Sequence, residues 1–481
     1  MVGLPGFEPG TSCTPSKRAS QAALQPDFSS LHPHIPQPTF RYATLPYMDP
    51  SHPPGTRVHS LLGATLLAGI LAGLGAIGFH FIANHFDEVL FAWAAERPLF
   101  LIGIPTLGLF GIGLWLHLSP ATRLGGVREV LEVLHRRGPD SGKVGLVRLL
   151  NVIASGLVLA FGGSVGPEGP MVQLGAVAGS QAGQLFGLSG RHLRTLVRAG
   201  TAAGVAAAFR SPAGGVLLVL EIFGAKLDRD LAAIATAAGL GYLLRTTLLG
   251  DAYPFRPTLP QNSLPTLTLL TAVPLMGLLA APAGHLFISM FRAMPRLFPQ
   301  SVPLWARVTL GGLIVGILGV WFPQVLSAGY PTILAGLHGQ FTVTLFVVLL
   351  LLKMFATSVT FGSGAVGGLF APTLVMGSLF GGAFGFGLHA IWPEAAPQPE
   401  LFVLLGMIVM FGSIVKGYLS GLLMIADMSG CYHQLLLPGI IAGGISYLVS
   451  WQLHDTSVFG LTLNNSGDTM ENDESCPRPA Q

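Results

Sequence analysis

Apolar residues gather in long runs at residues 60–82, 98–118, 147–162, 199–222, 230–249, 264–292, 305–322, 342–359, 374–390, 400–415 and 435–452, separated by short polar stretches. A straight helix needs about 20 apolar residues to cross the hydrocarbon of a bilayer. The pattern therefore predicts a chain that crosses a membrane many times. Several runs are too short for a plain crossing, or are cut by Gly-Pro clusters before one is complete. Membrane helices tolerate such breaks because neighbours re-satisfy the freed backbone groups. The expected fold is an all-α polytopic membrane protein in which tilted and discontinuous helices accompany the simple spans.

Two of the broken runs resemble each other. FGGSVGPEGPMVQLG (161–175) can be laid over GSGAVGGLFAPTLVMG (362–377), which pairs Gly166 with Gly368, Pro170 with Pro372 and Gly175 with Gly377. A second match follows in the same order: RSPAGGVLLVLE (210–221) against KGYLSGLLMIAD (416–427) pairs Arg210 with Lys416, Gly215 with Gly421 and Glu221 with Asp427. Chance likeness between glycine-rich apolar segments is the alternative, but two ordered matches at nearly equal offset argue against it. They divide the chain into repeat halves of about 58–250 and 262–465. A Gly/Pro-interrupted segment in the corresponding place of each half points to a transport site at the repeat interface.

Composition sharpens this picture. The chain is 51% hydrophobic and 10% charged, whereas soluble domains carry about one quarter charged residues. A formal net charge of +3 is too small and too scattered to suggest a nucleic-acid partner. Cys13, Cys431 and Cys476 are far apart, so neither a disulfide framework nor a zinc site is expected. Residues 1–57 are polar and rich in Pro and Ser without an apolar h-region, which excludes a signal peptide and predicts disorder. Met48, just ahead of the first apolar run, is a candidate start. Residues 466–481 read as a second disordered tail, and no cytoplasmic regulatory domain is expected.

The chemistry concentrates in the two broken segments. Proline suits the first turn of a helix, where its missing N–H would be unpaired anyway. Each motif thus reads as a loop followed by a helix N-terminus, with exposed N–H groups and about half a positive charge, a ready site for an anion. Glu168, between Pro167 and Gly169, is a tethered anion that would compete with a mobile one for this place and leave when protonated. An ionisable residue inside a membrane segment is a functional candidate by default, although helix capping by Glu168 is the plainer alternative.

These residues carry a family resemblance. G-x-E-G-P at Gly166 to Pro170 and G-x-F-x-P at Gly368 to Pro372, supported by FRSPAGGVLLVLE and by the stretch from SGLLMIAD through LLLPGIIAGG, make the chain similar to the CLC family of chloride channels and chloride/proton antiporters over residues 58–465. The resemblance implies an inverted-repeat fold of tilted and re-entrant helices, a homodimer in the lipid bilayer with one pore per subunit, and no cofactor. It implies chloride or a similar small anion as solute and Glu168 as the gate. It places the anion against Gly125, Gly126, Gly166, Gly169, Gly368, Leu369, Phe370, Ala371 and Phe459, with the N–H groups of Leu369 and Phe370 facing it. An integral, multi-pass protein of a bacterial inner membrane is expected.

The sequence also departs from the family pattern. Gly125 stands where the family has a serine hydroxyl, and Phe459 where it has a central tyrosine. Losing a hydrogen bond to a charged group costs about 1.5–3 kcal/mol if nothing replaces it. Pro167 replaces the usual basic residue beside the gate and removes an N–H donor as well. The second, proton-relaying glutamate of the antiporters falls at Ile222, which carries no proton. Glu221 beside it is either a substitute or an acid at a helix end. These departures tilt the sequence reading towards passive, Glu168-gated conduction, with proton-coupled antiport as the alternative. A transporter of another inverted-repeat class and a non-conducting scaffold stand behind them. No nucleophile, base and orienting group converge, so an enzyme is not expected.

A few other residues bear on the reading. His80, His85 and Asp87 lack metal-ligand spacing, and no metal is expected. FGGSVGPEGP lacks the Lys-Ser/Thr of a phosphate loop. Lys416, a cation in an apolar run, either lines an aqueous vestibule or snorkels to the interface, and Arg210 is its repeat partner.

Overall fold

A computed structural model describes residues 54–460, apart from 96, 98, 120–125, 136–140, 229, 251, 258–266 and 455. The described residues belong to one compact unit, Pro53–Gln481. They form sixteen α-helices: α1 (Pro54–Ala95), α2 (Phe100–Leu118), α3 (Val127–His135), α4 (Leu149–Ala160), α5 (Glu168–Leu185), α6 (Gly190–Phe209), α7 (Pro212–Glu221), α8 (Asp230–Leu249), α9 (Leu267–Ala293), α10 (Leu304–Trp321), α11 (Tyr330–Leu337), α12 (Val343–Gly362), α13 (Phe370–Ile391), α14 (Pro399–Val415), α15 (Tyr418–Ser429) and α16 (Tyr432–Leu453). Eight helical segments among the described residues are long and apolar enough to cross a bilayer. The disorder expected for residues 1–57 and 466–481 falls almost wholly on residues outside the description.

Helix order repeats after the eighth element, and the local devices repeat with it. Both α3 and α11 follow a glycine in the left-handed region, Gly126 (φ 71°) and Gly329 (φ 82°), a conformation most side chains avoid. Both α6 and α14 end on a left-handed cation, Arg210 (φ 56°) and Lys416 (φ 66°). A cation there complements the helix dipole, and each lies over an aromatic ring: Arg210 4.3 Å from the centre of Tyr253, Lys416 4.7 Å from that of Trp451. The apolar run 199–222 is thus two helices, broken at Ser211-Pro212, where the Ser211 hydroxyl accepts the Gly214 N–H and caps α7.

The short helices α7 and α15 hold each other across the repeat. The Glu221 carboxylate, at the end of α7, accepts the N–H groups of Leu419 (3.1 Å) and Ser420 (2.9 Å) at the start of α15. In return, Asp427 near the end of α15 accepts the Ser211 hydroxyl at the start of α7. Glu221 satisfies N–H groups that the start of a helix leaves unpaired, and Asp427 holds the hydroxyl that caps α7.

The chain's many glycines serve backbone contact between helices. A Cβ added to Gly175 or Gly179 of α5 would lie 2.2 Å from Gly200 O or 1.9 Å from Leu196 O of α6. The second half repeats the arrangement: a Cβ on Gly377 or Gly381 of α13 would lie 2.6 Å from Gly406 O or 1.9 Å from Phe402 O of α14. In lipid the hydrophobic effect does not drive helices together, so close packing through small residues carries the association.

Candidate functional site

The two broken motifs meet. Gly166 and Gly368 form an isolated antiparallel bridge: the Gly166 N–H donates to Gly368 O at 2.7 Å and the Gly368 N–H to Gly166 O at 2.9 Å. Only glycine permits the approach, since a Cβ on Gly368 would lie 2.5 Å from Gly169 N and one on Gly169 2.7 Å from the Gly368 Cα. Helices α5 and α13 begin at once after the bridge, at Glu168 and Phe370, with Pro170 and Pro372 in their first turns. The N-terminal ends of two helices are thereby fixed beside each other. Their first N–H groups have no intrahelical acceptor.

Glu168 closes this arrangement. It is 1% exposed, and its Oε2 accepts the N–H of Ala371, 3.2 Å away in the first turn of α13. Its Oε1 accepts the hydroxyl of Tyr330. The acid at the head of one half's helix therefore sits on the positive end of the other half's helix. Tyr330 was not among the residues singled out from the sequence. Its signal was there: Gly329-Tyr330-Pro331 is a helix start, with proline in the first turn of α11, the counterpart in its half of the Gly126-Val127 start of α3.

Aromatic rings cover the head of α13. Phe370 is fully buried, and its ring centre lies 5.3 Å from Phe411, 5.4 Å from Phe459 and 6.3 Å from Phe209. Phe459 is thus brought to the site as hydrocarbon, with no hydroxyl to offer. Leu369, the N-cap residue of α13, is buried beside it.

The remaining candidates divide. Gly126 approaches the bridge region, an added Cβ lying 3.8 Å from Gly367 O, but its N–H donates to Gln173 Oε1 at 3.1 Å. Gln173 is fully buried and in turn donates to Glu129 at 2.6 Å, and Glu129 pairs with Arg148. The Gly126 N–H is therefore committed to a side chain, as those of Gly166 and Gly368 are committed to each other. Gly125 lies outside the described residues, as do the side chains of His80, His85 and Asp87. Glu221 spends both carboxylate oxygens on the cap of α15, and Ile222 follows it as a half-buried hydrocarbon. Lys416 is buried with its Nζ donating to Ser450 Oγ at 2.6 Å.

Chemically, the arrangement sets two helix N-termini, which suit an anion, beside apolar rings and one carboxylate. A family model for the voltage gated chloride channel matches residues 107–451. The chain is 33% identical to a putative chloride channel protein ClcB-like of Ralstonia nicotianae, over 80% of this chain and 90% of the relative. It is 30% identical to the H(+)/Cl(-) exchange transporter ClcA of Vibrio cholerae, over 79% of this chain and 84% of that protein. Among solved structures it superposes on a slow cyanobacterial Cl-/H+ antiporter with a TM-score of 0.77 at 22% identity, covering 86% of this chain and 98% of the other.

Proposed function

Because the chain belongs to the voltage-gated chloride channel family, CLC, whose members transport anions, we propose that it exchanges chloride for protons at the Glu168 site. In this reading it works as a homodimer in a bacterial inner membrane. The observation that carries the proposal is the seat of Glu168. While charged, the carboxylate holds the Ala371 N–H and excludes a second anion by occupying its donor and by like charge. Once protonated it is neutral, loses its advantage over chloride at a helix N-terminus, and yields the place. One group then binds either a proton or, by leaving, lets an anion bind, and alternation between these states links the two fluxes. The exchange transporter among the relatives supports coupling over the uncoupled conduction towards which Ile222, Gly125 and Phe459 tilted the sequence reading.

Uncoupled conduction remains the second reading, favoured by one observation: Glu221 is tied to α15 and Ile222 cannot relay a proton. Chloride efflux from proteoliposomes, with external pH recorded in the same run, decides between them. A chloride gradient is expected to drive protons uphill in the wild-type protein. Chloride flux without any proton movement would replace exchange by conduction.

Tyr330 acts in this scheme by holding the acid in place. A hydrogen bond to a charged acceptor contributes about 1.5–3 kcal/mol, and about 1.4 kcal/mol is tenfold in an equilibrium. Tyr330→Phe is therefore expected to let Glu168 leave its seat more readily and to raise chloride efflux at neutral pH by about tenfold. Efflux measured across pH checks this, because the gain should shrink in acid, where Glu168 is neutral in both proteins. An unaltered profile would mean that the hydroxyl is idle.

A further inference from the structure

A second group of titratable side chains lies away from Glu168. His285 on α9, Ser413 on α14 and His454 just past α16 come together, the two imidazole centres 5.7 Å apart. Ser413 is fully buried and His454 is 4% exposed. The ring of His454 is oriented by one bond: its Nε2 lies 3.0 Å from the carbonyl oxygen of Ser413. A carbonyl only accepts, so Nε2 carries a hydrogen and the neutral ring presents its lone pair at Nδ1. That Nδ1, the Nδ1 of His285 and the Oγ of Ser413 are all buried without a hydrogen-bond partner. Three unpaired polar atoms grouped on two helices and the end of a third are rare in a folded interior and point to an occupant.

The location gives the group a meaning. Lys416 and Arg292 are the cations acting on His454, together with His285. Lys416 is followed directly by the start of α15 that Glu221 caps, so the histidines stand at the same end of the structure as Glu221 and Ile222. Segment 456–460 leads from His454 to Phe459, whose ring is 5.4 Å from that of Phe370 at the head of α13. Each proton taken up here adds to the positive charge of Lys416 and Arg292, so uptake is favoured by an anion nearby.

We propose that the His285–His454 pair is the proton-loading site of this chain, standing in for the acid that is missing at Ile222. The Nδ1 lone pair of His454 accepts a proton from water at this end of the protein. It returns the same proton to water on its way to the Glu168 carboxylate, and no other bond changes. Imidazole suits the task because a ring nitrogen can take up a proton and release it again. The inference rests on the exchange reading and names the proton's entry point within it.

The test compares wild-type, His454→Gln, His285→Gln and doubly substituted proteins in liposomes, reading protons moved per chloride. The ratio is expected to fall by about tenfold or more in each, since removing a positioned proton-transfer group slows its step by about 10²–10⁴-fold. A coupled wild type with an unchanged ratio in the double variant would overturn the proton-loading site and leave exchange standing. A wild type that moves no protons would overturn both. Glu168→Gln protein in detergent gives a check independent of how the histidine variants fold, since the gating carboxyl can no longer take up the proton. Chloride addition between about pH 4 and pH 7 is expected to draw protons onto it, and an absence of uptake would equally overturn the site.

Discussion

Glu168→Gln is expected to abolish proton movement while chloride continues to pass, and to flatten the dependence of chloride efflux on pH. The amide fills the same volume and its oxygen still accepts from the Tyr330 hydroxyl or the Ala371 N–H, the two donors that hold the carboxylate. It has no charge with which to compete for a helix N-terminus and no site that takes up a proton near neutral pH. In the wild type the sign runs one way. As pH falls the carboxylate is neutralised, its hold on the donors weakens, and chloride gains access, so efflux rises in acid. In the variant that step is removed, and efflux should stay level between about pH 4 and pH 7.5, across the ordinary range of carboxyl and imidazole titration. Parallel electrode records of chloride and pH from one liposome suspension provide the measurement. A variant that kept the acid-activated profile would move the gate to another residue.

How much of this was legible in the sequence depends on the physical origin of each feature. The long spans were legible because lipid demands continuous apolar residues, and α2, α8, α9, α10 and α12 lie where the hydrophobic runs are. The meeting of α5 and α13 was legible for a different reason: glycine, proline and a lone acid inside apolar sequence leave few other uses for themselves. Helices α3, α5, α11 and α15 were not found as apolar runs. They are short or rich in small residues, and their burial comes from neighbours in the fold, so hydropathy along the chain underrates them. Tyr330 was missed because its contact with Glu168 spans the two halves; Gly329-Tyr330-Pro331 announces a helix start but not that contact. The Gln173–Glu129–Arg148 chain behind Gly126 lies within the first half, but its members are far apart in the sequence and are joined only by the packing of α3 on α5. Glu221 is instructive in the other direction. Beside Ile222 it invited a role in proton transfer, and only the approach of α15 turned it into a cap.

Gly381→Ala is expected to cause the largest loss of stability of any single methyl added to this protein, and Gly179→Ala to match it in the other half. In both, the new Cβ would meet a backbone carbonyl oxygen at 1.9 Å, Phe402 O for Gly381 and Leu196 O for Gly179. A side chain could swing aside; a carbonyl engaged within a helix cannot, so α13 must move from α14, or α5 from α6. Overpacking ordinarily destabilises by about 1–3 kcal/mol and by more where backbone has to shift. That is a large share of the roughly 5–15 kcal/mol that holds a domain folded. Because the N-terminal ends of α5 and α13 meet at the Gly166–Gly368 bridge, the same displacement should open that bridge and cost transport as well as stability. Gly239→Ala supplies the contrast: it lies within α8 with nothing within 4 Å of its added Cβ, and alanine there should be neutral or mildly stabilising, since it limits the unfolded chain. Thermal melting of the detergent-solubilised proteins, read by loss of the monodisperse peak in size-exclusion chromatography, distinguishes the cases. If Gly381→Ala and Gly239→Ala melted together, the tight crossing of α13 on α14 would not be what keeps the helix ends in register at the site.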